Sequence, residues 1–505
     1  MCWAARLSSS RSRPATTDRA WRTKGCWIRT PRSTRCFPPR RRSGWIRSST
    51  GEYTTRACHP VATGRRTRVP TSATVSLEPM SGVYTIREYE QFRIGHGLDE
   101  RDLEDLKAFA HDNARAFQEH GYRPVLQFGR SGKLQASNYV GTITTKRGSV
   151  VEILPKIDLG GTAYADHDQT REAFLTMLRA HRGLRRAANL PPGAIRALRR
   201  FPMLEVFVRL FLDNVGVLVR GGLGRQYVAT EENLPFLRGR IAFRDHLREN
   251  QIDRSRFYVE HDELSPNRPA NRLIRTTLDR LRPIVRNERN RRLLSDLEPA
   301  FSAVPATRDP CADWRSHSID RSMRHYGRVM QWVELFLFNR GLATWSGRHV
   351  SQSLLFPMEE VYEDFVTDSF RRYQAEFQVV AQAPRKHMAS TGDKRVFATK
   401  PDISLRKPRA TVRFILDAKW KHIGNGGSDP IRDIASSDLY QLYAYGKRYE
   451  CRAVALVYPQ SRDFTNPVTA RFFDGLKIVG MPFDVASPER SRRSVRLALR
   501  TLATN

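Results

Sequence analysis

The stretch FATKPDISLRKPRATVRFILDAK, residues 397–419, decides how the C-terminal part of the chain folds. Residues 397–405 and 412–417 read as a pair of strands. Pro401-Asp402 sits on the first, and Asp417-Ala418-Lys419 ends the second. Side chains alternate along a strand, so Asp417 and Lys419 share a face. A hairpin-like pairing brings Asp402 beside them. Upstream, a helix is expected over residues 357–376 and a strand over 377–381. Downstream come the glycine-rich loop Gly424-Asn425-Gly426-Gly427, a helix over 437–449, and an apolar strand over 453–458 ended by Pro459. Helix, strand pair, helix and strand make an α/β pattern around one mixed sheet.

Further out, the chain reads as α/β and α+β multidomain. Residues 80–165 predict a small α+β module. A strand-like alternation runs over 83–94, and Asp99 caps a helix over 100–120 with Leu103, Leu106, Phe109 and Ala110 on one face. Strands follow at 125–128, 139–145 and 150–154, the last two joined by a turn at Lys146-Arg147-Gly148-Ser149. A linker is expected near 160–168. Residues 166–345 read as mainly helical, with helices over 172–182, 204–220, 269–282 and 322–340. The second carries the stripe Leu204, Phe207, Val208, Phe211 and Leu212 and stops at Gly221-Gly222. Leu237-Arg238-Gly239-Arg240 reads as a basic turn before a strand at 241–243, or as a contact for a partner or DNA. Ser265 or Asn267 is expected to cap the helix that begins at Pro269. Residues 346–490 form the α/β domain, and 491–505 a basic tail.

The 505 residues include 86 Lys and Arg against 52 Asp and Glu, a formal charge of +34. Such a surplus favours polyanionic partners, because each neutralised phosphate releases counterions. Residues 1–79 hold 17 basic and 3 acidic residues, a surplus of 14 that leaves +20 on the rest. That segment shows neither the strand nor the helix period. Met80 reads as the start of a conventional globular sequence, and residues 1–79 as spurious upstream translation; a disordered basic arm and an organellar transit peptide are the alternatives. Four of the six cysteines lie in this segment with no C-x-x-C pair, so neither a zinc site nor a disulfide scaffold is expected, and a reducing cytoplasm fits. No run approaches the roughly 18 apolar residues of a membrane span, so no membrane partner is expected.

Two facing carboxylates repel, and burying them is costly unless a cation sits between them. Magnesium suits Asp402 and Asp417: it takes hard oxygen ligands and bridges to phosphate oxygens. Lys419 can hold the attacking water or neutralise developing charge. Glu363, on the preceding helix, offers a third carboxylate. Gln441 and Tyr445 are spaced i, i+4 and share a helix face. Taken singly, each is an ordinary strand-end, turn or helix-surface residue. The ordered set of helix Glu, strand Pro-Asp, strand Asp-x-Lys and helix Gln-x-x-x-Tyr carries the signal.

That set resembles the PD-(D/E)XK nuclease superfamily in its RecB-like Gln-x-x-x-Tyr form, over about residues 355–460. The resemblance implies that Asp402, Asp417, the Ala418 carbonyl and Glu363 hold Mg²⁺, or alternatively Mn²⁺. It also implies that Lys419 is the catalytic lysine. Gln441, Tyr445 and Lys421 would orient the site or touch DNA. Asn138-Tyr139-Val140-Gly141, residues 152–157 (EILPKI), residues 233–240 (NLPFLRGR), Leu355-Phe356-Pro357-Met358-Glu359, residues 416–421 (LDAKWK) and residues 438–445 (DLYQLYAY) are similar to McrC proteins. McrC is the nuclease subunit of 5-methylcytosine-specific McrBC restriction systems. The likeness implies cleavage of methylated double-stranded DNA with an McrB-type AAA+ GTPase hexamer. The 80–165 and 166–345 regions would dock on that hexamer and stimulate its GTP hydrolysis. GTP would enter only through the partner, since the chain has no G-x-x-x-x-G-K-[ST] phosphate loop. A stand-alone or repair-type nuclease and a non-catalytic activator of a partner GTPase are the alternative readings.

Overall fold

In the computed structural model, residues 83–504 are described apart from 96, 121–123, 158–166, 185–191, 319–322, 339–349, 383–385, 408–411 and 424–428. Residues 1–79, most of the expected linker at 160–168 and the glycine-rich loop therefore lie outside the described residues.

The first elements are β1 (Val83–Arg87), α1 (Glu100–His120), β2 (Leu126–Phe128), β3 (Leu134–Ala136), β4 (Tyr139–Thr145) and β5 (Val150–Leu154). Asp99 Oδ1 accepts the Asp102 amide at 2.6 Å, so it does cap α1. The 83–94 alternation forms a strand only to Arg87. Beyond it the chain turns, and Tyr89 takes a left-handed φ of 66°.

The middle region holds α2 (His167–Leu178), α3 (Pro192–Leu198), α4 (Met203–Arg220), β6 (Gln226–Leu234), β7 (Arg240–Ile241), α5 (Phe243–Glu249), β8 (Phe257–Ser265), α6 (Pro269–Leu281), α7 (Glu288–Leu297), α8 (Pro310–Ser316) and α9 (Tyr326–Phe338). Its helices bury the expected stripe of α4 against Trp332 and Phe336. The region is not helical throughout, because β6, β8 and β7 form a three-stranded antiparallel sheet. The strand expected at 241–243 ends at Ile241, and Phe243 opens α5. Arg268 occupies the N-cap of α6 with no side-chain cap bond. Pro269 brings no amide that needs one, so neither Ser265 nor Asn267 caps it.

The remaining elements are β9 (Val350–Pro357), α10 (Met358–Tyr373), β10 (Gln378–Ala381), β11 (Lys386–Thr391), β12 (Lys394–Thr399), β13 (Ile403–Arg406), β14 (Val412–Ala418), α11 (Ser436–Tyr449), β15 (Ala453–Pro459), β16 (Val468–Arg471), β17 (Lys477–Phe483) and α12 (Pro488–Ala503). β9 does not join the C-terminal sheet. It pairs with β4 and completes a first sheet in the order β1-β5-β4-β9. Gly141 permits this approach: its φ is +145°, and a Cβ there would lie 1.9 Å from the Leu354 carbonyl oxygen. α10 leaves β9 directly, so the sheet of the first module sets the start of the helix that covers the second.

The second sheet runs β10-β13-β14-β15-β17-β16. β13 and β14 are antiparallel, whereas β14, β15 and β17 are parallel. Residues 397–405 are two strands rather than one. β12 pairs with β11 in a separate hairpin, and Lys400-Pro401-Asp402 separates it from β13. Phe414, Leu416 and Ala418 face the core formed with α10 and α12, where Val361, Phe365, Val495 and Ala498 are buried. Ile415 faces the opposite core with Leu442, Tyr445 and Tyr449 of α11. Residues 491–505 are not a tail: α12 buries Val495, Ala498 and Leu502 and leaves its arginines at the surface.

Candidate active site

Register builds the site. Ile403 stands opposite Leu416, so Asp402, one residue before β13, falls opposite Asp417. Odd-numbered residues of β14 face α11, which places Asp417 and Lys419 on the face that α11 covers. Asp402 Oδ2 accepts the Ala418 amide at 2.9 Å, which turns its carboxylate onto the end of β14.

Asp417 is 3% exposed. Its Oδ2 lies 2.7 Å from Lys419 Nζ, yet it accepts no hydrogen bond of good geometry. The lysine contact is chiefly one of charge. Burial pushes the Asp402 carboxyl up to about 8, and the neighbouring Asp417 and Glu363 carboxylates add to the rise. Burial also raises Asp417, against the pull of Lys419. For Lys419 burial opposes the charge, but Asp417, Asp438 and Asp402 outweigh it and raise the ammonium above its ordinary range.

The expected helix pair takes its place here. Lys419 Nζ donates to Gln441 Oε1 at 3.0 Å, and Gln441 Nε2 donates to the Tyr445 hydroxyl at 2.9 Å. The lysine is therefore held between its own strand and α11. Lys421 points to Asp438 instead, with Nζ 2.7 Å from Oδ2. Asp438 Oδ1 is also 3.8 Å from Lys419 Nζ. Its carboxylate is buried between the two lysines.

Glu363 behaves differently. α10 packs on the other face of the sheet, so Glu363 reaches the site only around the rim. Its Oε1 lies 3.0 Å from Arg182 Nη2 and 3.5 Å from Gln382 Nε2. Gln382 in turn donates its amide to the Asp402 carbonyl at 2.6 Å. Among the described residues, no three His, Cys, Asp or Glu side chains gather around one point. The structure brings Asp402, Asp417, Lys419, Gln441 and Tyr445 together and leaves Glu363 at the edge.

Two further acids were missed in the sequence. Asp438 lies three residues before Gln441 on one helix face, a spacing that could have found it. Glu88 had no such signal. It is buried in the first module, accepts the Lys156 amide at 2.9 Å, and takes a hydrogen bond from Trp420 Nε1 at 3.1 Å. His422 Nε2 donates to the Lys156 carbonyl at 2.8 Å. The segment just after Lys419 is thereby fastened to the first module.

The donor set suits a hard divalent cation. The half-buried Asp402 carboxyl, raised further by Asp417, and the buried Asp417 carboxyl, raised by its own burial, are relieved by positive charge between them.

The family model described as McrBC 5-methylcytosine restriction system component matches residues 134–459. The chain belongs to that family. The McrBC match begins at β3 and ends with β15, so it takes in both lysines and every acid of the site except Glu88. No curated protein matches the chain. Among solved structures it is similar to a chain of a half-complex refined from a tetradecameric assembly of Thermococcus gammatolerans McrB AAA+ hexamers with bound McrC. The identity is 20% and the TM-score 0.63, over 82% of this chain and 99% of that one. A chain of the Thermococcus gammatolerans McrBC complex is also similar, at 20% identity and a TM-score of 0.45, over 59% of this chain and 89% of that one. The first likeness is one of fold, and it extends beyond the span of the McrBC family match.

Proposed function

We propose that this McrBC-family chain is the McrC-like endonuclease subunit, cutting double-stranded, methylated DNA in the cytoplasm with an McrB-type AAA+ GTPase hexamer. The observation that carries this reading is the pairing of half-buried Asp402 with buried Asp417 beside an ammonium fixed on two sides. We read the six-stranded sheet with α10 and α11 on its faces as the PD-(D/E)XK core. Asp402, Asp417 and the Ala418 carbonyl would hold Mg²⁺ or Mn²⁺. When bound, the ion supplies Lewis-acid stabilisation of charge on the phosphate and makes an attacking water more acidic. Lys419 stands ready to neutralise charge as it develops on the phosphate. Gln441, itself held by Tyr445, keeps the lysine aimed, and Asp438 adds a second anchor.

The +20 surplus that remains outside residues 1–79 supports a DNA partner. The sheet of β6, β7 and β8 supports a protein partner. Tyr227 on β6 is 74% exposed, and Phe243 of α5 and Ile252 just after it are 70% and 98% exposed, so large apolar side chains stand in solvent on and beside this sheet. Docking there would let the chain stimulate GTP hydrolysis without binding GTP. No helix among the described residues is long and apolar enough to cross a membrane.

The test is cleavage of methylated and unmethylated duplexes by the purified chain, with and without its AAA+ partner, GTP and Mg²⁺, while GTP hydrolysis is followed in parallel. Partner- and Mg²⁺-dependent cutting of methylated DNA is expected. Asp417→Ala should abolish cutting and keep the GTPase stimulation. Stimulation without any cutting by the wild type would reduce the chain to an activator.

A further inference from the structure

We propose that the β11–β12 hairpin is an arm that grips duplex DNA beside the cleavage site, with basic side chains on the phosphates and Phe397 with Met388 pressed into a groove. The identity of the partner rests on the nuclease reading above; the placement of the arm is independent of it.

The root of the hairpin is fixed to the helix that completes the site. The Tyr449 hydroxyl receives the Lys386 amide at 3.3 Å and lies 3.3 Å from the Thr399 carbonyl, to which it donates. Arg448 Nε donates to the His387 carbonyl at 2.7 Å, and Lys386 Nζ to the Arg448 carbonyl at 3.2 Å. Tyr449 and Arg448 lie on α11, one turn beyond Tyr445. Three residues after β12 comes Asp402. The arm is thus held rigidly with respect to the two carboxylates.

Beyond the root the hairpin is packed against by none of the described residues. Residues 387–398 are exposed or half-exposed throughout. Met388 and Phe397 stand between the flanking pairs His387–Ala398 and Ala389–Val396, and both are exposed, at 45% and 74%. Phe397 also has a left-handed φ of 54°, a strained conformation for an aromatic residue. Folding alone gives no reason to place a large ring there in that conformation. Around the two apolar residues the charge is nearly all of one sign. Lys386, Lys394, Arg395 and Lys400 are opposed only by Asp393. A hollow of about 440 Å³ against the hairpin is lined by Lys386, His387, Arg395 and Arg448 with no carboxylate. Basic side chains around an exposed apolar wedge match a phosphate backbone flanking a groove. A protein partner for so basic a surface would need to be acidic, and the adjoining site is one for phosphodiesters.

The experiment is binding of a dye-labelled duplex by the full chain in Ca²⁺ without Mg²⁺, read by fluorescence anisotropy between roughly 50 and 200 mM salt. Lys394→Ala with Arg395→Ala should flatten the plot of log affinity against log salt by about 1.8. Phe397→Gly accepts the left-handed φ freely, so the fold is kept. It should weaken binding about tenfold with an unchanged or raised melting temperature. Wild-type affinity and salt slope in both variants would overturn the arm, as would failure of the wild type to bind duplex at all. If the wild type binds and the variants weaken as stated, yet Mg²⁺ gives no cutting, the arm stands and the nuclease reading alone falls.

Discussion

The carboxylate of Asp402 accepts the amide of Ala418, the residue that separates Asp417 from Lys419, at 2.9 Å. One bond thus ties the acid that precedes β13 to the strand end that carries the other acid and the lysine. Asp402→Asn keeps an oxygen for that amide and should retain the fold, but it removes charge from the cation site. Cleavage should fall by about three orders of magnitude or more, with a melting temperature no lower than wild type. Asp402→Ala should lose the same activity and also melt lower, because the amide then loses its partner.

Asp438 touches the two lysines and neither acid of the pair. Asp438→Asn should lower kcat about tenfold with KM little changed, since it loosens Lys419 without removing it. Lys419→Ala should cost about a hundredfold to a thousandfold in kcat. Asp438→Glu, which restores the charge, should recover part of the loss; an effect confined to melting temperature would mark Asp438 as structural only.

Glu88 gives a pH dependence. Burial raises its carboxyl from 4.5 to about 7. The folded state therefore holds a proton that the unfolded chain has released between those values. Its contribution to stability is whole below about 4.5 and is lost as pH rises through about 7. The metal-free melting temperature should decline across this window, and Glu88→Gln should make the decline shallower. A wild-type and variant pair with parallel profiles from pH 4.5 to 7 would contradict the assignment.

Gly141 tests the join between the modules. A Cβ 1.9 Å from the Leu354 carbonyl cannot be accommodated without moving a backbone. Gly141→Ala should cost more than about 3 kcal/mol in chemical denaturation, because it combines a disfavoured φ with a steric clash. It should also impair cleavage, since β9 leads directly into α10.

Much of this architecture was legible from local pattern. Strands β5, β14 and β15 are largely apolar runs, β4 is rich in β-branched residues, and α4 carries a full stripe, so single elements announced themselves. The site was legible because Asp402, Asp417 and Lys419 lie at strand ends where alternation fixes their face. What stayed hidden depends on partners far away in sequence. β6 reads QYVATEENL and its residues only alternate between half-buried and exposed, with none buried; pairing with β8 makes it a strand. β9 joins a sheet formed more than 200 residues earlier. α12 was obscured by its arginines, although Val495, Ala498 and Leu502 keep a helical spacing. Glu88 and Trp420 meet across 332 residues, which no local period can foretell. Glu363 lies on the expected helix, but which face of the sheet that helix covers is a tertiary matter.

The most direct measurement is a Mn²⁺ titration of the full chain followed by electron paramagnetic resonance, comparing the wild type with a variant carrying both Asp402→Asn and Asp417→Asn. The wild type should remove free Mn²⁺ from solution, and the folded double variant should not. Equal binding by the two proteins would contradict this.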